Sequence, residues 1–194
     1  MRLAACLLAC SLMASACSVR SPAVDYWTLA ALAPAPATLD PAAPAVAIGP
    51  VALPRYLDRP HVLVRLDPLR VEPAGQHRWA DPLDEAFGRT LAANLGYSLA
   101  SGRVSAYPVQ PLYGVDYRVQ VDVQRFDGRP GETVALTARY VILAGGDRQV
   151  LAVEQVEIGI AAGEDFAAFV GAHSAAVAEL ATHIDASLAA LLNN

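Results

Sequence analysis

The chain has 194 residues, 55% of them hydrophobic and only 17% charged, with a formal net charge of −5. It holds no lysine, so 14 arginines carry all the fixed positive charge against 19 acidic residues. An acidic chain without a basic run is unsuited to gripping nucleic acid or anionic lipid by charge, and this length suits one domain plus targeting and linking sequence.

The first predicted element is a leader. Arg2 is followed by an apolar run from Leu3 to Met13 and then by Ala14, Ser15, Ala16 and Cys17. Charge, short apolar segment and small residues in that order describe a secretory signal peptide. The run falls short of the ~20 residues a bilayer crossing needs. A cysteine just after the small residues resembles the lipobox of bacterial lipoproteins, with Ala14 where leucine is more usual. At such a site the Cys17 thiol receives a thioether-linked diacylglycerol, and the new amino terminus is acylated after cleavage. Several chains on one residue suffice for a stable membrane anchor. Residues 1–16 are therefore predicted to be removed, which takes away Arg2 and moves the formal charge from −5 to −6. Cys6, Cys10 and Cys17 are the three cysteines, so the mature chain is left without an internal disulfide or thiolate metal site. Ser18 stands where aspartate resembles an inner-membrane retention signal, which favours the periplasmic face of the outer membrane. No segment after Cys17 is expected to span a membrane.

Residues 17–45 read as an Ala/Pro-rich tether. Its composition prefers extended geometry and builds no core by itself, but Tyr26-Trp27-Thr28-Leu29 has the propensity of a short edge strand. The domain proper is predicted over 46–194. Val46–Val51 and His61–Leu66 read as strands, separated by the charged, proline-bounded loop Arg55-Tyr56-Leu57-Asp58-Arg59-Pro60. After a turn at Pro73-Ala74-Gly75, residues 76–80 are expected to pair back. Asp81 suits a helix N-cap and Pro82 the first helical position. Leu83, Phe87, Leu91 and Leu95 then form one stripe, and Gly96 can end the helix in a left-handed cap.

Val104–Tyr107 opens a β region. Val115 to Val123 alternates apolar and polar residues as a half-buried strand does. Asp127-Gly128-Arg129-Pro130-Gly131 reads as a turn, Val134–Leu143 as the partner strand, and Gly145-Gly146-Asp147 as a second turn into Val150–Ile160. The apolar parity changes within that last strand, and a bulge near Glu154 would reconcile the phases. From Asp165 to Leu192 the period is helical, with Phe166, Phe169, Val170, Val177, Leu180, Ile184, Leu188 and Leu191 on one stripe. The predicted fold is α+β, a mainly antiparallel twisted sheet with two helices packed on one face.

No catalytic constellation emerges. His61, His77, His173 and His183 are the only imidazoles; His173 and His183 fall on different sides of one helix and cannot share a metal. All four are expected at the surface or at an interface. Helix capping accounts for Asp81, Asp84 and Glu85. Neither metal nor cofactor is expected, and the chain is not expected to be an enzyme. What remains is recognition: Arg55, Tyr56, Asp58 and Arg59 in the loop, with His77, Arg78 and Trp79 just before the helix. They form an Arg/aromatic set of the kind enriched at interfaces, unless Trp79 plugs the core.

Tyr26–Leu29, Ile48–Pro60, Arg78–Leu83, Asp116–Val119, Arg125-Phe126 and the Ala-rich last helix together resemble the ABC-type transport auxiliary lipoprotein family, the PqiC-like proteins. The resemblance covers the chain from about Tyr26 onward. Trp27 stands where a second tyrosine is common, and Tyr140 where tryptophan often stands. The resemblance implies a non-enzymatic outer-membrane lipoprotein of an MCE-type, ABC-associated transport system. It would dock the periplasmic MCE-domain protein, through the Arg55–Pro60 loop and the Trp79 region, and those residues could equally serve a homo-oligomer. Two other readings stay open: a lipid-binding module holding cargo between sheet and helices, and a lipoprotein activator of a periplasmic envelope enzyme.

Overall fold

The computed structural model describes residues 22–108 and 113–193, so the leader and Cys17 lie outside the described residues. In chain order the elements are β1 (Asp25–Trp27), β2 (Val46–Ala52), β3 (His61–Asp67), β4 (Arg70–Trp79), α1 (Leu83–Ser98), β5 (Val104–Ala106), β6 (Tyr117–Gly128), β7 (Thr133–Ala144), β8 (Val150–Ala161) and α2 (Phe166–Leu192).

β6 is the strand on which the sheet is built. Its apolar positions Val119, Val121 and Val123 are buried, while the alternating Gln120 and Gln124 are exposed. Along one edge it pairs antiparallel with β7, from Tyr117 opposite Ala144 to Gly128 opposite Val134, and β7 pairs antiparallel with β8. Along the other edge β6 carries two strands end to end, both parallel: β2 against its first half and β3 at Gly128. β5 extends the sheet beyond β2, β4 beyond β3, and β1 closes it parallel to β4 as an edge strand.

The α+β class holds, but the expected mainly antiparallel sheet does not: four of the seven pairings are parallel. Turn signals pair neighbouring strands, whereas parallel partners arrive only through a long crossover. β2 gets both of its partners after two further strands and a helix, and no local signal announces that.

Several boundaries move for identifiable reasons. Asp127 and Gly128 belong to β6 rather than to the turn that follows it. β8 holds continuous register through Glu154, and its irregularity sits at Leu151 instead; a second register shift falls at Gln124 in β6. Asp81 does not cap α1. It pairs with Arg89 at 2.5 Å, and the cap position falls on Pro82 without a side-chain hydrogen bond. The helix runs past Gly96 to Ser98, and the left-handed residue is Ala100, at φ 50°. Gly96 has a different reason to be glycine, because a Cβ there would lie 3.3 Å from the Ser101 carbonyl oxygen.

α2 is capped by Asp165, whose Oδ1 accepts from Ala168 N at 2.7 Å. By length and composition alone it is long and apolar enough to cross a membrane, contrary to expectation. Here its stripe covers the sheet instead: Phe169, Val177, Leu180, Ile184 and Leu188 are fully buried. Together with Phe87, Leu91 and Leu95 of α1 and Phe126, Leu136, Tyr140 and Ile142 of the sheet they make one contiguous core.

The Ala/Pro-rich stretch after β1 is tied to both helices. Asn94 Oδ1 accepts from Leu32 N and Ala33 N, both at 2.9 Å, while its Nδ2 donates to the Thr90 carbonyl. Ser174 Oγ accepts from Ala30 N, and Ser101 Oγ donates to Pro44 O. Asn94→Leu should therefore strip two backbone donors of their acceptor at a cost of about 1–3 kcal/mol. The loss should be local, read as faster amide exchange at Leu32 and Ala33; wild-type protection there would refute the assignment.

Candidate docking surface

The two stretches singled out from the sequence are neighbours in space. Pro60 O accepts from Trp79 N at 2.7 Å, and His61 lies opposite Arg78 in the β3–β4 ladder. Trp79 itself is 5% exposed, with its ring edge-on to His173 at 5.7 Å, so it plugs the core. His77 is also engaged. Its Nδ1 accepts from Trp27 Nε1 at 3.0 Å, and its ring stacks on Phe166 at 3.6 Å. Arg78 curls back to donate to the Gly75 and His77 carbonyls.

The loop residues divide in the same way. Leu57 is buried, and the Tyr56 hydroxyl donates to Asp127 Oδ2 at 2.7 Å. Arg55, Asp58 and Arg59 are exposed, and among the described residues neither arginine side chain makes an ion pair or hydrogen bond. Two solvated guanidiniums on a loop pinned from beneath by Tyr56 and Leu57 are placed to meet an acidic surface without first breaking a bond.

Sequence reasoning missed the group that pins the loop. Asp127 has no exposed surface and accepts from Arg65 through both oxygens, Nε at 2.5 Å and Nη2 at 2.6 Å. Arg125 Nε adds a third cationic contact at 3.0 Å. Burial pushes the Asp127 carboxyl up, but its bonds to Arg65, Tyr56 and Arg125 outweigh that and hold it below the usual carboxylate range. Burial and the Asp127 carboxylate push the Tyr56 hydroxyl up to about 12, so it remains a donor at any physiological pH. Arg65 is raised in turn, first by its hydrogen bonds to Asp127. Arg65 and Tyr56 lie 62 and 71 residues from Asp127 in the chain, and only Arg125 is close to it. The only local signal, Asp127-Gly128, points to a turn.

The histidines also depart from expectation at one position. His173 is 1% exposed, its Nδ1 2.9 Å from the Phe169 carbonyl oxygen, with Phe126, Phe169 and Trp79 edge-on around the ring. Burial pulls its pKa down to about 4, despite the opposing bond to Phe169 O and the nearby Asp127 charge. Asp81 and Glu85 are both paired with Arg89.

A family model for the ABC-type transport auxiliary lipoprotein component matches residues 27–185. A comparison with curated proteins gives no match. Among solved structures, the chain is similar to an uncharacterized protein with a TM-score of 0.70 and 23% identity over 86% of this chain and 99% of the other. It is also similar to a protein from Xanthomonas campestris, with a TM-score of 0.62 and 19% identity over 82% and 92% of the two chains. At these identities the likeness is one of fold.

Proposed function

The chain belongs to the ABC-type transport auxiliary lipoprotein family, and from that premise we propose that it is the outer-membrane, Cys17-anchored component of an MCE-type transport system. Its domain docks the periplasmic MCE-domain protein of that system on the periplasmic face, supporting transport of lipid or another hydrophobic solute. The observation that carries this reading is Arg55 and Arg59, unpaired among the described residues and raised on a loop whose underside is fixed to the core by Tyr56 and Leu57. A rim of unpaired charge steers an acidic partner and fixes its register more than it adds affinity.

Co-purification from native membranes tests the reading. Arg55→Glu/Arg59→Glu in the full chain should lower recovery of the MCE-domain protein about tenfold or more, by turning attraction into repulsion. Recovery at wild-type strength would count against it. Recovery of an envelope enzyme in place of the transport protein would favour the activator reading. The cargo-holding alternative is disfavoured by the filled space between sheet and helices, where Phe87, Phe126, Phe169 and His173 interlock. Cys17→Ala should release the mature domain from the membrane fraction and abolish envelope function; full function from that soluble form would overturn the anchor.

A further inference from the structure

A second surface, formed by residues that the docking reading does not use, lies on the sheet away from the helices. There the β7–β8 hairpin folds over the start of β6 and encloses a cleft of about 500 Å³ with the middle of β2. The hairpin is held in place by Gly145, whose N–H donates to Asp116 O at 2.8 Å and which packs so closely on the Val115 backbone that no Cβ fits. This sets Arg148, at φ 60°, on the cleft wall. Arg118 of β6, flanked by Ala47 of β2 and Leu143 of β7, lines the same cleft.

Among the described residues no carboxylate lines this cleft. The nearest acids in sequence are bound to backbone: Asp116 Oδ2 accepts from Ala45 N, and Asp147 Oδ1 from Gln149 N. Among the described residues neither Arg118 nor Arg148 makes an ion pair, and Arg118 Nε is buried without an acceptor. A buried N–H without an acceptor is unfavourable, which favours a ligand that brings one. Tyr107 and Tyr113, 62% and 39% exposed, bring two phenols to the same wall. The rest of the lining includes Ile48, Pro50, Val115 and Leu143, which are apolar.

We infer that this cleft binds a phosphate group carried on an apolar body, with Arg118 and Arg148 taking the oxyanion. Guanidinium forks match phosphate oxygens in pairs, and two of them with two phenols supply more donors than a carboxylate can use. The volume lies within the ~300–1,000 Å³ of small-molecule sites, and a bare inorganic anion would leave its apolar wall uncovered. The inference does not depend on the docking of a partner protein.

Calorimetric titration of the full chain in dodecyl maltoside tests it, with dihexanoyl phosphatidic acid and inorganic phosphate as probes and dihexanoylglycerol as the uncharged control. Dihexanoyl phosphatidic acid should bind. Arg118→Gln and Arg148→Gln should each weaken it tenfold or more, while Arg139→Gln, whose arginine is paired with Asp122 on β6, should leave it unchanged. Binding that inorganic phosphate competes away identifies the phosphate group as sufficient; binding it does not displace identifies the phosphorylated lipid. Arg148→Gln alters an exposed turn and keeps the test valid should Arg118→Gln fail to fold. Absence of binding, equal binding of dihexanoylglycerol, or wild-type affinity in both variants would overturn the assignment. None of these results bears on recovery of the MCE-domain protein, so the two proposals fail separately.

Discussion

Asp127→Asn should unfold at a lower urea concentration than the wild-type chain, with a loss of about 3 kcal/mol and an unchanged m-value. Removing one partner of a buried ion pair typically costs about 3–5 kcal/mol, because the remaining charge is left desolvated. Here the carboxylate is fully enclosed and Arg65 is 20% exposed, so the guanidinium that loses its bidentate acceptor is mostly out of water. Arg125 is 42% exposed and can turn to solvent, which places the effect at the lower end of the range. Arg125→Gln should for the same reason cost about 1 kcal/mol or less. A loss below about 1 kcal/mol for Asp127→Asn would mean that both guanidiniums rehydrate freely and that the cluster does not hold the fold. The variant should also loosen the loop above it. Tyr56 loses its charged acceptor, so the Leu57 amide, bonded to Pro54 O, should exchange faster than in wild type.

That coupling explains how the Arg55–Pro60 loop can be firm at its base and free at its tip. Tyr56 and Leu57 are the two inward residues of the loop, and the exposed Arg55 and Arg59 flank them. The three-residue spacing from Arg55 to Asp58 lets the chain close a turn, with Asp58 N donating to Arg55 O. The charges are thus presented by a short, closed turn between β2 and β3, two strands that share one edge of β6.

The sequence was legible wherever the responsible signal is local. Alternation in Val115–Val123 marks β6, the stripe from Leu83 to Leu95 marks α1, and the longer stripe from Phe166 marks α2, each because burial on one face imposes a period. Hairpins β6–β7 and β7–β8 follow from glycine-rich turns. Illegible were the features that depend on residues far apart. The parallel pairings of β2 with β5 and β6 need a crossover that no turn signal announces. The Asp127 cluster assembles Tyr56, Arg65 and Arg125 from a loop and two strands. The burial of His173 departs from expectation because a histidine beside Ser174 on an Ala-rich helix has no sequence mark of burial; its position on the α2 stripe, four residues after Phe169, is the available clue. Arg55, Asp58 and Arg59, candidates for recognition from the sequence, are exposed. Nothing local marks Arg118 or Arg148 as part of a site, since alternation explains the one and a turn the other.

His173 supplies the second large effect, and its sign follows from burial. In the unfolded chain the imidazole takes up its proton near pH 6.5, whereas in the fold it does so only at about 4. Between those values the unfolded state binds more protons, so stability is lost as the pH falls through that window. The full loss is about 3 kcal/mol by pH 4, at 1.36 kcal/mol for each unit of difference. Asp127 acts in the same direction but lower on the scale, since its depressed carboxyl gives up stability only as the pH falls below the ordinary carboxylate value of ~3.9. The interval from about 6.5 to 4 therefore isolates the histidine from the buried carboxylate. Urea titrations across that interval should show a slope of about one proton in wild type, and His173→Gln, though less stable at neutral pH, should flatten it by that proton. An imidazole that titrates near its free value by NMR, or an identical slope in His173→Gln, would show that the ring reaches water and that the aromatic cage of Trp79, Phe126 and Phe169 opens in solution.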